Sequence, residues 1–229
     1  MKLLMIGCEY AGTTTLADAL KEWFAETMGA NIRIIHDHFK IPDNKPHGDA
    51  LTEEEIQQLQ ALSPRVMEVV QRHNIYYHTP QGPSGGSGSG ITIGLHFDDL
   101  VYGPLYWGYG KPGSIGDRRV IAKHIEHSVM KWAPDTVLVL MKATPDVIIR
   151  RMREAPHPYP VVQGKDVEHV LQRFEEEAWA SLLGRRITLD TSTATVEQTV
   201  ADFAGQALSL LTDEDRTAML LFQSRVRQG

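Results

Sequence analysis

Short apolar runs alternate along the chain with longer segments in which apolar residues recur every three or four positions. The alternation predicts an α/β fold, in which parallel strands are joined by helices that cover both faces of the sheet. The run at 136–141 is apolar almost throughout, as is typical of a strand buried between two layers of helices. The five predicted strands cover residues 2–6, 31–36, 91–96, 136–141 and 186–189.

Helical periodicity and helix-start residues define the segments between the strands. Thr52 and Glu55 are spaced as a capping box, and Pro64, inside the same periodic segment, is expected to kink or split its helix. Thr144 precedes Pro145, a residue favoured in the first turn of a helix. We expect the C-terminal helix to dock on the domain rather than to form a dimer interface. The predicted helices cover residues 14–28, 52–73, 117–132, 144–153, 166–183, 195–210 and 212–227.

Residues 82–90, which read Gly-Pro-Ser-Gly-Gly-Ser-Gly-Ser-Gly, have the composition of an engineered flexible linker. We interpret them as the replacement of a native loop between Tyr77 and Ile91, and a natural Gly/Ser loop is the alternative. The rest of the chain has no internal repeat and no sign of a second domain. We therefore predict a single domain over residues 1–229, an ordinary size for one α/β core.

The composition limits the classes of partner that the protein is expected to bind and indicates its cellular compartment. The chain has 23 Lys and Arg residues against 29 Asp and Glu, and the net charge of -6 disfavours binding to a nucleic acid polymer. The single cysteine, Cys8, leaves no internal disulfide and suits a reducing compartment. No stretch approaches the ~20 apolar residues of a membrane-spanning helix, and the apolar start is too short for a signal peptide. We expect a cytoplasmic protein that binds no membrane.

A glycine-containing turn directly follows the first predicted strand and opens the first helix. Its spacing matches the phosphate-binding P-loop pattern G-x-x-x-x-G-K-[ST], except at the lysine. A helix N-terminus offers unpaired N–H groups and the positive end of the helix dipole to an anion. We expect nucleotide phosphates to bind here, and Thr14 falls where a hydroxyl would ligate Mg²⁺. The predicted phosphate-binding residues are Gly7, Cys8, Glu9, Tyr10, Ala11, Gly12, Thr13, Thr14 and Thr15.

Thr13 stands where the P-loop pattern has lysine. The absence of the lysine matters because removing one hydrogen-bond donor that stabilises charge in the transition state commonly lowers the rate by about 10²–10³-fold. Three explanations stay open: another basic residue supplies the charge, the lysine was removed by engineering, or the protein binds nucleotide without turnover. Lys111, in a glycine-rich segment, is one candidate for the substitute. An ordinary glycine-rich turn is the alternative to a phosphate site.

With this turn near its N-terminus and five strands alternating with helices, the chain resembles P-loop kinases of the thymidylate kinase and deoxynucleoside kinase group. The resemblance extends from residue 2 to about residue 210 and includes an arginine-rich helix that leads into a lid. It implies a three-layer P-loop NTPase-like fold with the strand order 2-3-1-4-5. It also implies transfer of the γ-phosphoryl group of ATP, with Mg²⁺, to a nucleoside or nucleoside monophosphate.

Acidic residues at the ends of two predicted strands stand where kinases of this group resemble this chain in having acidic residues. Asp37 follows the second strand, where the resemblance implies a base for the acceptor hydroxyl; a loop-capping carboxylate is the alternative. Asp98 and Asp99 follow the third strand, where the group has an acidic residue followed by an arginine that is absent here. Either is expected to hold Mg²⁺, with a helix N-cap as the alternative, and we take Asp98 and Thr14 as the metal ligands.

Three arginines are predicted to clamp the transferring phosphoryl group, as the resemblance implies for the lid side of the site. Guanidinium groups suit this role because they contact phosphate through two donors and keep their charge. Arg118 begins one helix, whereas Arg150 and Arg153 end another and share a face from which Arg151 is expected to turn away. Solvated helix ends are the alternative for each arginine. Residues 154–165, which begin with a proline-rich stretch, are predicted to form the lid.

Residues 102–116 are expected to be largely loop because they contain several glycines and two prolines. Their aromatic side chains are predicted to stack on a base or to cover a ligand, and core packing is the alternative. The aromatic residues in question are Tyr102, Tyr106, Trp107 and Tyr109.

The function that these features favour is ATP- and Mg²⁺-dependent phosphorylation of a nucleoside or nucleoside monophosphate. A nucleotide-binding regulatory module or pseudokinase is the alternative, favoured by Thr13 and by the missing arginine. A kinase for a non-nucleotide alcohol is a third reading of the same features. The expected partners are a nucleotide and a small-molecule acceptor, and we expect a monomer or a homodimer.

Overall fold

The computed structural model describes residues 1–37, 51–80, 89–114 and 116–226. Five strands within these ranges form a parallel sheet in the order β2-β3-β1-β4-β5, which confirms the predicted fold class and strand order. No helix in the same ranges is long and apolar enough to cross a membrane. The strands are β1 (Lys2–Gly7), β2 (Arg33–Asp37), β3 (Gly90–Gly94), β4 (Thr136–Lys142) and β5 (Arg186–Asp190).

Helices cover both faces of the sheet. The predicted capping box is present at the start of one of them, where the Thr52 hydroxyl accepts from the Glu55 N–H and the Glu55 carboxylate accepts from the Thr52 N–H. In the described ranges, the helices are α1 (Thr13–Met28), α2 (Glu53–Gln60), α3 (Pro64–His78), α4 (His96–Tyr102), α5 (Arg118–Trp132), α6 (Pro145–Glu154), α7 (Val167–Ala180), α8 (Val196–Ala207) and α9 (Asp213–Val226).

The core is centred on β1 and β4, which lie side by side in the middle of the sheet. Their apolar side chains are buried on both faces, and each fully buried Leu or Ile contributes about 1.5–3 kcal/mol of hydrophobic free energy. At the end of β1, the backbone of Gly7 lies very close to that of Met141 in β4. A Cβ on Gly7 would lie only 2.7 Å from the carbonyl oxygen of Met141. Gly7 is therefore required for packing at the point where the P-loop begins.

Two segments differ from the sequence prediction. The helix predicted over 52–73 is divided into α2 and α3 at Pro64, as one of the two expected outcomes, and α3 continues to His78. The third strand ends at Gly94 rather than at residue 96, because Gly94 and Leu95 both have positive φ and turn the chain into α4. A π-helical turn, Gly103–Trp107, continues α4 into the region predicted as loop.

The C-terminal helix α9 packs on α1, as the prediction of docking required. The ring of Phe222 lies against Gly29, where an added Cβ would come within 2.6 Å of the ring. The amino group of Met1 lies 2.5 Å from the carboxylate of Asp215 in a buried ion pair. Gly29 ends α1 in the left-handed conformation, so a glycine satisfies both the helix end and the packing of α9.

Candidate active site

The turn between β1 and α1 lies at the carboxyl edge of the sheet, where open α/β folds bind their ligands. Tyr10 has a φ of 70° and Gly12 a φ of 91°, so the backbone folds back sharply before Thr13 begins the helix. Gly12 occupies the N-cap position and has no side chain with which to accept from the first amides of α1. The turn therefore presents an uncapped helix end, the local structure expected of a phosphate site.

Two adjacent cavities open on this turn. The larger, of about 350 Å³, lies over the start of α1 and reaches Thr15 and Arg151. The smaller, of about 110 Å³, lies between the turn and α4 and reaches Asp98. The residues that line both cavities are Tyr10, Thr13, Thr14 and His157.

Another cleft, of about 280 Å³, lies at the opposite edge of the sheet. Its lining includes Lys2, Arg33 and Thr136, which stand at the amino ends of their strands. Ligands of open α/β sheets bind at the carboxyl ends of the strands instead. The two cavities at the P-loop are therefore the candidate active site.

Not every predicted residue of the turn directs its side chain to the cavities. The side chains of Cys8 and Ala11 are fully buried, and the Ala11 N–H donates to the Cys8 carbonyl oxygen at 2.9 Å. Burial, together with the negative charges of Glu9 and Asp98, raises the pKa of the Cys8 thiol well above its usual range. Cys8 and Ala11 thus hold the turn on the core, whereas Thr13, Thr14 and Thr15 line the larger cavity.

Arg151 brings a guanidinium to the turn that lacks a lysine. It donates to the Tyr10 carbonyl oxygen at 2.9 Å and to Thr191, at the hydroxyl (3.1 Å) and at the carbonyl oxygen (2.7 Å). Thr191 directly follows β5, and its hydroxyl donates to the Ala11 carbonyl oxygen at 3.0 Å. Burial, and then the charge of Arg150, lower the pKa of Arg151, but a guanidinium remains protonated at neutral pH. These bonds fix a positive charge at the border of the larger cavity.

On α6, the arginine that lines a cavity is not one of the two that were predicted to contact phosphate. Arg150 and Arg153 are exposed and line neither cavity, whereas Arg151, expected to face away, lines the larger one. The inner face of α6 is set by the buried residues Val147 and Ile148. Arg151 follows Val147 by one helical turn and therefore lies on the same side.

Arg118 was predicted to clamp phosphate, and the structure contradicts that role. Its side chain is 1% exposed and forms ion pairs with Asp99 and with Glu68, the latter at 2.7 Å. Burial lowers the pKa of Arg118, but the two carboxylates outweigh burial and raise it. The guanidinium also lies over the ring of Tyr109 at 4.7 Å. Its charge is neutralised in the core, so Arg118 connects α3, α4 and α5 and lines neither cavity.

The two carboxylates after the third strand have separate positions. Asp98 is half-buried and lines the smaller cavity together with Thr14. Asp99 is buried, where it pairs with Arg118 and accepts from the Tyr109 hydroxyl. Neither is the N-cap of α4, a position that Leu95 occupies. Of the two, Asp98 is the candidate metal ligand, and hydroxyl and carboxylate oxygens are donors that Mg²⁺ accepts.

Asp37, the predicted base, is the last residue of β2, and its side chain lies outside the described residues. Residues 82–88 of the predicted linker also lie outside them. Gly90, which the prediction included in that linker, belongs to β3 and pairs with Lys2 and Arg33. The segment therefore becomes regular sheet before residue 91.

The predicted lid contacts the P-loop through Glu9 and Tyr10. One oxygen of the Glu9 carboxylate accepts from the Val161 N–H (2.8 Å) and the Val162 N–H (3.1 Å), and the other lies 2.7 Å from His157 Nδ1. The Tyr10 hydroxyl accepts from the His157 N–H at 3.0 Å, and the two rings stack with centroids 4.0 Å apart. Residues 157–162 of the predicted lid therefore lie against the turn in this structure.

The aromatic side chains of residues 102–109 pack against the protein, and that of Tyr102 also lines the smaller cavity. Tyr102 is buried, and its hydroxyl accepts from the Glu9 N–H at 3.0 Å. The Tyr106 hydroxyl donates to Asp166 at 3.2 Å and thereby contacts the far end of the lid. Tyr109 is buried beside Asp99. Core packing, the stated alternative, applies to Tyr102 and Tyr109.

Lys111, a sequence candidate for the missing charge, is exposed in the loop before α5 and lines neither cavity at the P-loop. The residues that sequence reasoning missed are Arg151, Thr191 and His157. A signal for Thr191 was available, because a polar residue directly after a parallel strand lies at the ligand edge of the sheet. The contacts of Arg151 and His157 depend on how α6 packs and on how residues 155–162 close, which no local pattern encodes.

No family model matches the chain, and no curated protein matches it. Solved structures of low sequence identity match it over most of its length. The deoxyadenosine kinase of M. mycoides, solved with the products dCMP and dCDP, has 10% identity and a TM-score of 0.58, over 92% of this chain and 100% of its own. The thymidylate kinase of Candida albicans has 12% identity and a TM-score of 0.55, over 91% of each chain.

A third match is the YorR protein of Bacillus subtilis, solved in complex with phosphorylated GDP. It has 17% identity and a TM-score of 0.52, over 92% of this chain and 99% of its own. The coverage and TM-scores of these matches confirm the resemblance in fold that the sequence predicted. The chain has the fold of the P-loop nucleoside and nucleotide kinases.

Proposed function

We propose that this protein transfers the γ-phosphoryl group of ATP, with Mg²⁺, to a nucleoside or a nucleoside monophosphate. The observation that carries the proposal is the meeting of Thr13, Thr14 and Arg151 at the uncapped start of α1, around a cavity of about 350 Å³. An anion in this cavity meets helix amides, hydroxyls and a fixed guanidinium together. Such a combination suits a polyphosphate far better than a neutral ligand.

Phosphoryl transfer asks a protein mainly to position its reactants and to neutralise charge. In the proposed site, Arg151 supplies the positive charge that lysine supplies in the usual P-loop pattern. Thr14 and Asp98 both line the smaller cavity, and their oxygen atoms would hold Mg²⁺ with the phosphates. A bound Mg²⁺ would neutralise charge on the phosphate oxygens. Asp37 is proposed as the base for the acceptor hydroxyl, because β2 ends at the same edge of the sheet.

A nucleotide-binding regulatory module is the second candidate, favoured by Thr13 at the lysine position. An assay of ADP release with ATP, Mg²⁺ and a panel of nucleosides, nucleoside monophosphates and simple alcohols separates the two. We expect release that depends on a nucleoside or monophosphate acceptor. Flat ADP release together with tight, Mg²⁺-dependent ATP binding by calorimetry would support the regulatory module. Failure to bind ATP at all would contradict both candidates.

A further inference from the structure

Glu9 belongs to the phosphate-binding turn and lines the smaller cavity, and its carboxylate accepts hydrogen bonds from residues of the lid. The carboxylate is 11% exposed and has three partners in residues 157–162: the Val161 and Val162 amides, at 2.8 and 3.1 Å, and His157 Nδ1, at 2.7 Å. Glu9 and His157 are 148 positions apart in the chain. The contact therefore depends on the tertiary position of the lid, and breaks if the lid moves away.

The charge of Glu9 gives this contact a consequence for phosphate binding. The usual P-loop pattern carries a lysine, but this turn has Thr13 at that position and a carboxylate at Glu9. A carboxylate without partners at this position would repel a polyphosphate in the adjacent cavity. Two N–H donors and a histidine satisfy the carboxylate when the lid is closed, and hydrogen bonds to an ionised group are among the stronger ones. Lid closure thus weakens a repulsion that the turn itself creates.

Further contacts hold the same segment at its two ends. At the start, His157 stacks on Tyr10 and donates its N–H to the Tyr10 hydroxyl at 3.0 Å. At the far end, the Tyr106 hydroxyl accepts from the Gln163 N–H at 3.3 Å and donates to Asp166 at 3.2 Å. Because His157 lines both cavities, a shift of this segment changes the wall of the site.

We infer that Glu9 is a positioning residue that holds the lid closed over the nucleotide, an inference that rests on the proposed kinase function. Its carboxylate is the link between the phosphate-binding turn and residues 157–162. Closing excludes water from the reacting phosphate, so the link favours transfer to the acceptor over hydrolysis. Glu9 touches the lid and acts on the reaction through it.

Hydrogen exchange of the Val161 and Val162 amides tests the contact in the protein without ligand. Glu9→Ala removes the acceptor, and we expect these two amides to exchange about tenfold faster or more, since a hydrogen bond to a charged group is being lost. Glu9→Gln keeps an oxygen that can accept both amides, so protection should largely return. Glu22→Gln, the same change at an exposed position of α1, is the matched control and should leave exchange unchanged. Unchanged exchange in Glu9→Ala overturns the inference.

The partition of ATP between acceptor phosphorylation and hydrolysis tests the consequence for the reaction. In Glu9→Ala we expect hydrolysis relative to transfer to rise about tenfold, at an unchanged melting temperature, with Glu9→Gln close to the unaltered protein. A general loss of folding would lower both rates together and would not move this ratio. An unaltered partition in Glu9→Ala overturns the inference and leaves the kinase function standing. If the unaltered protein shows no acceptor-dependent ADP release, the proposed function fails, and the exchange experiment still decides the contact.

Discussion

The guanidinium of Arg151 donates a hydrogen bond of 2.9 Å to the carbonyl oxygen of Tyr10, which joins the helix before the lid to the phosphate-binding turn. The bond holds a positive charge next to a turn that has Thr13 where the P-loop pattern has lysine. Thr191 holds the same guanidinium through two further bonds. The charge is thus supplied from α6 and fixed by the end of β5, and its position does not depend on the turn alone.

Replacing Arg151 tests whether this guanidinium serves the reaction. We expect Arg151→Ala to lower kcat by about 10²–10³, the usual effect of removing one donor aimed at developing charge. Arg151→Lys should recover part of the rate, because it keeps the charge without the planar fork. The matched control is Arg150→Ala, one position away and exposed, which should change kcat by less than about threefold, as surface substitutions do. Equal losses in the two alanine variants would contradict the assignment.

Restoring the lysine at position 13 in two backgrounds tests the same idea from the other side. In the Arg151→Ala protein, Thr13→Lys should raise kcat by about tenfold or more, because it returns a cation to the helix start. In the unaltered protein the gain should be much smaller, because a second cation beside Arg151 adds like-charge repulsion. A gain of about 10² in the unaltered protein would mean that the missing lysine limits the rate and that Arg151 does not replace it.

The fold could be predicted from the sequence because its signals are local and agree with one another. The apolar run that becomes β4 and the capping box at Thr52 each specify their own element. The strand order came from the resemblance, whose strongest residues, Gly7 and Gly12, stand at fixed spacing after the first strand. The end of β3 was misjudged because Leu95 has a positive φ, which leucine rarely adopts and which the turn into α4 imposes here.

The site was less predictable because its charged groups are placed by tertiary packing. Arg118 and Arg151 are the same residue type near helix ends, yet one is paired with buried carboxylates and the other lines a cavity. Asp98 and Asp99 are adjacent in sequence and lie on different sides of α4, one facing a cavity and one facing Arg118. Sequence spacing identified the candidates, and only the three-dimensional contacts separate the residue of each pair that is neutralised in the core from the one that lines a cavity.

The pair Asp98 and Asp99 allows a direct comparison of metal binding with stability. We expect Asp98→Asn to raise the Mg²⁺ concentration needed for half-maximal activity by about tenfold, because a carboxylate ligand becomes a neutral amide. Its thermal unfolding should change little. Asp99→Asn should instead destabilise the protein by about 3–5 kcal/mol, because it leaves Arg118 without one of its buried partners. Mg²⁺ titrations and urea unfolding of both variants provide the measurements, and a reversed pattern would contradict the division of roles.

Asp37, at the end of β2, is predicted to accept the proton of the acceptor hydroxyl. Asp37→Asn should lower kcat by about 10²–10⁴, the range of general base catalysis, while the Kd for ATP stays within a few fold. Single-turnover rates and calorimetric ATP titrations measure the two quantities separately. Equal losses in turnover and in ATP affinity would reject the role of base and indicate a carboxylate that shapes the loop.

The last prediction concerns acid stability and a carboxylate remote from the reaction. Glu126 on α5 is buried and accepts from the Ser181 hydroxyl at 2.5 Å and the Leu182 N–H at 3.1 Å, while His96 Nε2 lies 3.5 Å away. Burial raises the pKa of Glu126, but the nearby His96 ring and the hydrogen bond from Ser181 outweigh burial, and the pKa falls from 4.5 to about 2. A folded-state pKa below the unfolded one means that the ionised group stabilises the fold above pH 4.5.

This stabilisation should be lost as the pH falls from 4.5 toward 2, because protonation removes the negative charge and places a proton on one of the two oxygens that accept these bonds. Glu126→Gln should lower the free energy of unfolding by about 1–3 kcal/mol at pH 7 and flatten its decline between pH 5 and pH 3, because an amide does not titrate. Urea unfolding at each pH measures both effects. Glu22→Gln, at an exposed position, is the control and should keep the slope of the unaltered protein. If the free energy of unfolding of Glu126→Gln declines with falling pH as steeply as that of the unaltered protein, other carboxylates account for the acid sensitivity.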